Sequence, residues 1–394
     1  MGGTDAPGQA ADSADSWRRV RAVLTANRQE LSHLAARLYP DLPRVGTTDL
    51  LTRAEWLPGA PLGLDEVTLT WVARPPAPAV AVGGPVSAHV RPVRQGGGRY
   101  ASYAGAVGDL DRPSLFEDRP SYRFLGAALT GPPALRLALT SYFDGMELGH
   151  SVAHELAAAW AGSGAEVSMA GLPLRSAAGD PCAVDRRLAL CAVTTLTLRR
   201  AAGGTASFVL HWRDPAKVNH AGGMYQVMPV GLFQPATGAA AAVPHDLSLW
   251  KCMAREFSEE FLGTSEEYQT TGGMLDYGRW PFYQRLTEAR RAGRLAVHCL
   301  GVGVDPVTSA TDILTVAVFD DVEFDAAFGG LVELNAEGRV ITAGQPDGLA
   351  DTEGDGIPFT GDTVARLAGG GARMQASGAA VLQLAWQHRR HLLG

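Results

Sequence analysis

The chain has 394 residues, a formal net charge of −7 from 34 basic and 41 acidic residues, and hydrophobic residues at 46%. That length points to two domains, and that much apolar material suffices for packed cores. An acidic balance without a basic block excludes sequence-independent DNA or RNA binding, which needs a cationic footprint. No apolar run reaches the roughly 18 residues of a membrane span. The opening Met1-Gly2-Gly3-Thr4-Asp5-Ala6-Pro7 lacks the charged start and apolar core of a signal peptide. A cytoplasmic location with no membrane partner is expected. Cys182, Cys191, Cys252 and Cys299 form no C-x-x-C pair, and Cys191 and Cys299 sit in apolar strand-like runs, so buried free thiols are expected.

Residues 1–14 are small and polar and read as a disordered leader. A first domain of mixed α and β (α+β) character is predicted over 15–180. The spacing of Val20, Val23, Leu24, Leu31, Leu34, Ala35 and Leu38 predicts an amphipathic helix over 16–38, ending before Pro40. Alternation predicts strands over 66–73, 86–93, 122–129 and 135–142, then a helix over 148–160. On that helix His150 and His154 have the i, i+4 spacing of a zinc-binding pair. Ser151 and Ala153 stand where a metalloprotease glutamate would be, so contacts within the fold are the better reading, for Glu155 too.

A loop-like stretch at 171–181 suggests a boundary, and a second domain is predicted over 186–394. Residues 188–198 read as a buried strand, Gly203-Gly204 as a turn, and 207–212 as its antiparallel partner. Residues 224–229 form a short strand, 247–261 a helix, and 282–292 another that ends at Gly293. Strands follow at 295–304 and 313–319, and a hairpin pairs 332–334 with 339–341. Thr360 caps a helix over 362–367, and 375–393 is a final amphipathic helix. Helices flanking a mixed sheet make this an α/β fold, with an α/β/α sandwich in the second domain.

The helix over 247–261 carries the chemistry. It contains no Pro or Gly, and Asp246 and Ser248 both offer N-caps. Trp250, Met253, Phe257 and Phe261 form an apolar stripe. Glu256, Glu259 and Glu260, at i, i+3 and i+4, fall within an arc of about 100° on another flank. Carboxylates held so closely repel one another unless a cation sits among them. Their hard oxygens suit Mg²⁺ or Mn²⁺. A solvated acidic face is the plainer alternative.

The run Arg255-Glu256-Phe257-Ser258-Glu259-Glu260 resembles the R-E-aliphatic-x-E-E-x-G core of the Nudix box, the metal-binding helix of enzymes that cleave nucleoside diphosphates linked to another group. Met228-Pro229-Val230-Gly231 resembles the P-G-G turn that opens the box. The pattern departs from the family between them. Twenty-four positions separate Gly231 from Arg255 where the usual box has 14, so the connection carries about ten extra residues. No early Glu is present, Asp246 is the only acid near its place, and the closing glycine is displaced to Gly263. The resemblance implies an α/β/α sandwich for 186–394. It also implies Mg²⁺ or Mn²⁺ on Glu256, Glu259 and Glu260, with Arg255 holding those carboxylates in position.

Around that helix, Gly231, Trp212, Tyr225, Phe233 and Trp280 are candidates to meet a nucleotide-like small molecule. The aromatics stack on a base or pack in the core. His220 with Gly222-Gly223 offers a lip, and Asp351, Glu353 and Asp355 offer a general base or a solvated acidic loop. Two functions follow. One is metal-dependent hydrolysis of a nucleoside diphosphate derivative. The other is a nucleotide-ligand sensor that no longer hydrolyses and acts through its first domain or a partner. That first domain's part stays open between lining the pocket, mediating a homodimer and recruiting another protein.

Overall fold

Two ten-residue runs free of proline, Cys191–Arg200 and Thr311–Asp320, form the centre of the fold as a parallel pair in unbroken register, Thr311 opposite Cys191 and Asp320 opposite Arg200. The computed structural model describes residues 6–80, 84–114, 116–164, 166–213, 222–264, 270–271, 273–329, 338–341, 356–370 and 372–394. Leu295–Val304 runs antiparallel to Thr311–Asp320, and Val230–Leu232 runs antiparallel to the start of Cys191–Arg200. Ala206–Phe208 and Ile357–Pro358 extend the sheet on one side. Leu62–Gly63 closes it on the other, giving seven strands among the described residues.

Both faces of this sheet are covered, as buried parallel strands require. Along Thr311–Asp320, Ile313, Ala317 and Phe319 point into one core with Trp250, Met253, Phe257, Phe261, Leu286 and Phe328. Leu314, Val316 and Val318 point into another with Val364, Leu367, Ala380, Val381 and Leu384. Successive strand residues alternate sides, so the helices at Leu249–Leu262, Pro281–Arg291 and Asp321–Phe328 lie on one face. Those at Gly361–Ala368 and Ala376–Gln387 lie on the other. The result is an α/β fold with helical layers on a mixed sheet.

Pro120–Ala128 and Ala134–Ser141 pair antiparallel, with Thr68–Trp71 parallel to the latter. The first of these strands abuts the large sheet: Tyr122 N–H donates to Phe233 O (3.1 Å) and Phe124 N–H to Ala189 O (2.8 Å). Tyr122, Phe124, Leu135 and Leu137 share a single core with Phe233, Cys191 and the helix residues Met253 and Phe257. A third sheet joins Gly338–Ile341, Leu210–Arg213 and Tyr225–Val227. No helix among the described residues is long and apolar enough to cross a membrane.

Several local expectations are corrected. The leader is helical from its sixth residue: Ala6–Ala26 packs Trp17 against Tyr103 and Met146, and that burial offsets the low hydrophobicity expected to leave it disordered. Asn27 interrupts the 16–38 helix, which continues as Arg28–Arg37. Residues 86–93 are not a strand, since Pro85–Val90 forms a 3₁₀ turn, consistent with proline at its first position. The expected strand at 207–212 is split. Ala206–Phe208 pairs with the central strand, whereas Leu210–Arg213 turns into the third sheet, with Phe208 and Leu210 buried in one core and Val209 in the other. Residues 338–341 pair with 210–213, and 332–334 lie outside the described residues. The helices Tyr103–Leu110 and Asp321–Phe328 carry too short a period to be seen in the sequence. All four cysteines are free and buried.

The central strands also bury a carboxylic acid. Burial, reinforced by Asp305, pushes the Asp312 carboxyl from its ordinary 3.8 up to about 7, although Thr194 Oγ1 donates to it at 2.6 Å. The folded group therefore binds its proton more tightly than the unfolded one, and stability falls as pH rises from about 4 to about 7. Asp312→Asn should remove that decline. Thermal melts should find the variant more stable than wild type at pH 8, on the order of 1–4 kcal/mol, and equal to it below pH 4. A parallel pH dependence in both proteins would refute this.

Candidate functional site

The acidic helix starts where Ser248 Oγ accepts from Lys251 N–H (3.3 Å) and ends at Gly263, whose φ of +64° suits a residue without a side chain. Asp246 is therefore not the cap. The stripe of Trp250, Met253, Phe257 and Phe261 faces the sheet, with the Phe257 and Phe261 rings 5.5 Å apart and Phe261 4.6 Å from Phe328.

With that stripe buried, the charged flank is turned onto Val230–Leu232. Val230 N–H donates to Glu260 Oε1 at 2.7 Å, and Glu260 Oε2 lies 4.0 Å from Nδ1 of buried His211. Glu256 lies against Gly231: a Cβ there would stand 1.8 Å from the carboxyl carbon and 2.0 and 2.2 Å from its oxygens. Only glycine leaves Glu256 its place. Glu259 is half-buried on the same flank.

Arg255 beside them is 4% exposed. Its Nη2 donates to Gln234 O (2.7 Å) and its Nη1 to Tyr277 Oη (2.6 Å). Tyr277 Oη in turn donates to Asp246 Oδ1 (2.9 Å), and Ala236 N–H donates to Asp246 Oδ2 (2.8 Å). Asp246 is wholly buried. Burial alone would lower the Arg255 pKa, but Cys252, Tyr277, Glu256 and Asp246 outweigh it and hold the guanidinium above its usual range. Burial, aided by Asp246, lifts the Tyr277 phenol well above its ordinary value, so its hydroxyl keeps its proton. Burial likewise pushes the Cys252 thiol up, and the group stays neutral.

The sequence-derived ligand contacts divide. Phe233 is 0% exposed and packs on Tyr122 with ring centres 4.5 Å apart, so it is a core residue and no face is left for stacking. Tyr225 is buried beside Trp212, 4.8 Å between centres, and Trp212 is half-buried. Trp280 stacks on Tyr283 at 6.3 Å, next to Tyr277. His220, Asp351, Glu353 and Asp355 lie outside the described residues. Of the zinc-like pair, His154 is a core residue and His150 is half-buried with its ring 6.0 Å from that of Tyr103. His154 Nδ1 lies 3.1 Å from Tyr103 Oη, its ring stacks on Trp17, and burial, with Arg21 and His89, lowers its pKa to about 3. Glu155 accepts from Leu174 and Arg175 N–H and pairs with His89.

Could these residues hold the metal that the Nudix pattern implies? Among the described residues no group of three or more His, Cys, Asp or Glu is arranged as a metal cage. Glu260 spends one oxygen on Val230, and Glu256 is seated on Gly231. What the three glutamates offer is donor chemistry alone: carboxylate oxygens are the ligands Mg²⁺ and Mn²⁺ take alongside waters or substrate phosphates, whereas a structural Zn²⁺ site is built from Cys and His. A cavity of about 810 Å³ lies elsewhere, lined by Ser102, Asp109, Phe116, Phe143, Glu147 and Leu148 among others, and none of the acidic-helix residues reaches it. Sequence reasoning missed Tyr277 and His211; both arrive from other segments, and no spacing rule links them to the helix. Compared with protein-family models and with curated proteins, the chain matches none.

Proposed function

We propose that the protein is a Mg²⁺- or Mn²⁺-dependent hydrolase of a nucleoside diphosphate linked to another group, with Glu256, Glu259 and Glu260 holding the metal, and that it belongs with the Nudix enzymes. One observation carries this reading: Glu256 and Glu260, one helical turn apart, are both turned onto the glycine-bearing strand Val230–Leu232 while Arg255 is anchored to Gln234 and Tyr277. When bound, the metal would neutralise phosphate charge and lower the pKa of its water. The chain's own residues set the stage for that. Gly231 leaves room for the Glu256 carboxylate, the Val230 N–H fixes the orientation of Glu260, and the buried stripe fixes the helix.

Full-length protein with Mg²⁺ or Mn²⁺, offered a panel of nucleoside diphosphate derivatives, should release phosphate-containing products. Glu259→Gln and Glu260→Gln should each lower that rate by about 10–100-fold with the fold intact. Gly231→Ala should act likewise, because its methyl displaces a flexible carboxylate rather than backbone and so costs little stability. Turnover that needs no metal, or that survives all three changes, would refute the assignment. One observation favours the sensor reading: Asp246, the nearest substitute for the missing early Glu, is wholly buried and bound to Tyr277 and Ala236. Tight binding of a nucleotide-like ligand without turnover at either metal would select that reading.

A further inference from the structure

We infer that Asp246 and Tyr277 are positioning residues that act on the acidic helix through Arg255, and that the small N-terminal sheet supports them by clamping the loop that presents Asp246. The inference rests on the hydrolase reading and assigns a task to the extra residues between Gly231 and the helix.

The relay has a fixed direction. A guanidinium donates only, so Tyr277 Oη accepts from Arg255 and passes its own proton's hydrogen bond to Asp246. Asp246 is then a negative charge at one remove from Arg255, held by the Ala236 N–H on its other oxygen. The loop that carries it is not slack. Val243 O accepts from Tyr122 Oη at 2.7 Å, Thr237 Oγ1 donates to Gly273 O, and Lys251 Nζ donates to His245 O at 2.5 Å. Tyr122 belongs to Pro120–Ala128, so the N-terminal sheet bears directly on the loop.

The consequence for the carboxylates is geometric. Arg255 ties the helix to Gln234, at the end of the same segment whose Gly231 and Val230 meet Glu256 and Glu260. With Arg255 held, helix and strand keep one register, and the carboxylates keep theirs. Without the relay the guanidinium loses its Tyr277 anchor, and the charged flank of the helix loses that restraint on its carboxylates.

Tyr277→Phe tests this cleanly, because the ring keeps its packing on Lys251 and Tyr283 and only the hydroxyl is lost. Mn²⁺ alone serves as the probe, titrated into the full chain by calorimetry or electron paramagnetic resonance, alongside thermal melts. Tyr277→Phe and Asp246→Asn should each weaken Mn²⁺ binding by about 10–100-fold, the range for residues that orient metal ligands. Tyr122→Phe should produce a smaller loss in the same direction. A purely structural role would lower the melting temperature and leave Mn²⁺ affinity of the folded protein unchanged, which overturns the inference while the hydrolase reading stands. Wild-type protein that neither binds Mn²⁺ nor turns over a substrate overturns both.

Discussion

Arg255→Met is expected to lower the free energy of unfolding by about 3–5 kcal/mol, the cost of leaving a buried charge without its partner. The side chain is buried between Gln234 O and Tyr277 Oη, and its removal leaves Asp246 as a carboxylate inside the protein with no cation at the end of its relay. Methionine keeps an apolar stem but not the planar head, so part of the loss is packing, and the electrostatic part is the one a charge-deleting partner variant isolates. The control is the double variant with Asp246→Asn, which deletes the stranded charge and should recover part of the deficit. Urea unfolding of wild type, both single variants and the double variant completes the cycle. A single variant as stable as wild type, or a double variant showing simple additivity, would mean that the two groups are not coupled.

A loss of similar size, about 3–5 kcal/mol, is expected for Phe257→Ala. Its ring is fully buried and touches Phe261, Phe319 and Phe328 at centre distances of 5.5, 5.6 and 5.5 Å. Those partners come from the same helix, the central sheet and the following helix, so the cavity cannot close by moving one element. Val322→Ala, at a site 76% exposed on the neighbouring helix, should stay within about 0.5 kcal/mol of wild type. Comparable effects at both positions would refute the assignment of this cluster as the keystone between helix and sheet.

Where periodicity was strong, the chain was legible. Residues 295–304 read as a strand and form one, and the cap at Thr360 accepts from Thr363 N–H as its hydroxyl predicts. The stripe from Trp250 to Phe261 faces the core, and the α/β arrangement of helices on a mixed sheet follows from the order of elements. The opening helix was legible only from residue 16 onward; its first turns lack an apolar period of their own, and the helix they extend is held by Trp17 packing on residues about 90 and 130 positions away. Val209 could not be seen as a break, since alternation alone does not say that neighbouring strand residues enter different cores.

By itself the sequence determined local things: which residues can turn a helix, which can alternate along a strand, and that three carboxylates share one flank. These depend on backbone geometry repeated every few residues, and a single chain carries that information. The tertiary structure alone decided what those carboxylates face and what restrains the arginine beside them. Gly231, Val230, Tyr277, Asp246 and Tyr122 reach the helix from separate segments, brought together by burial of apolar surface that has no sequence period.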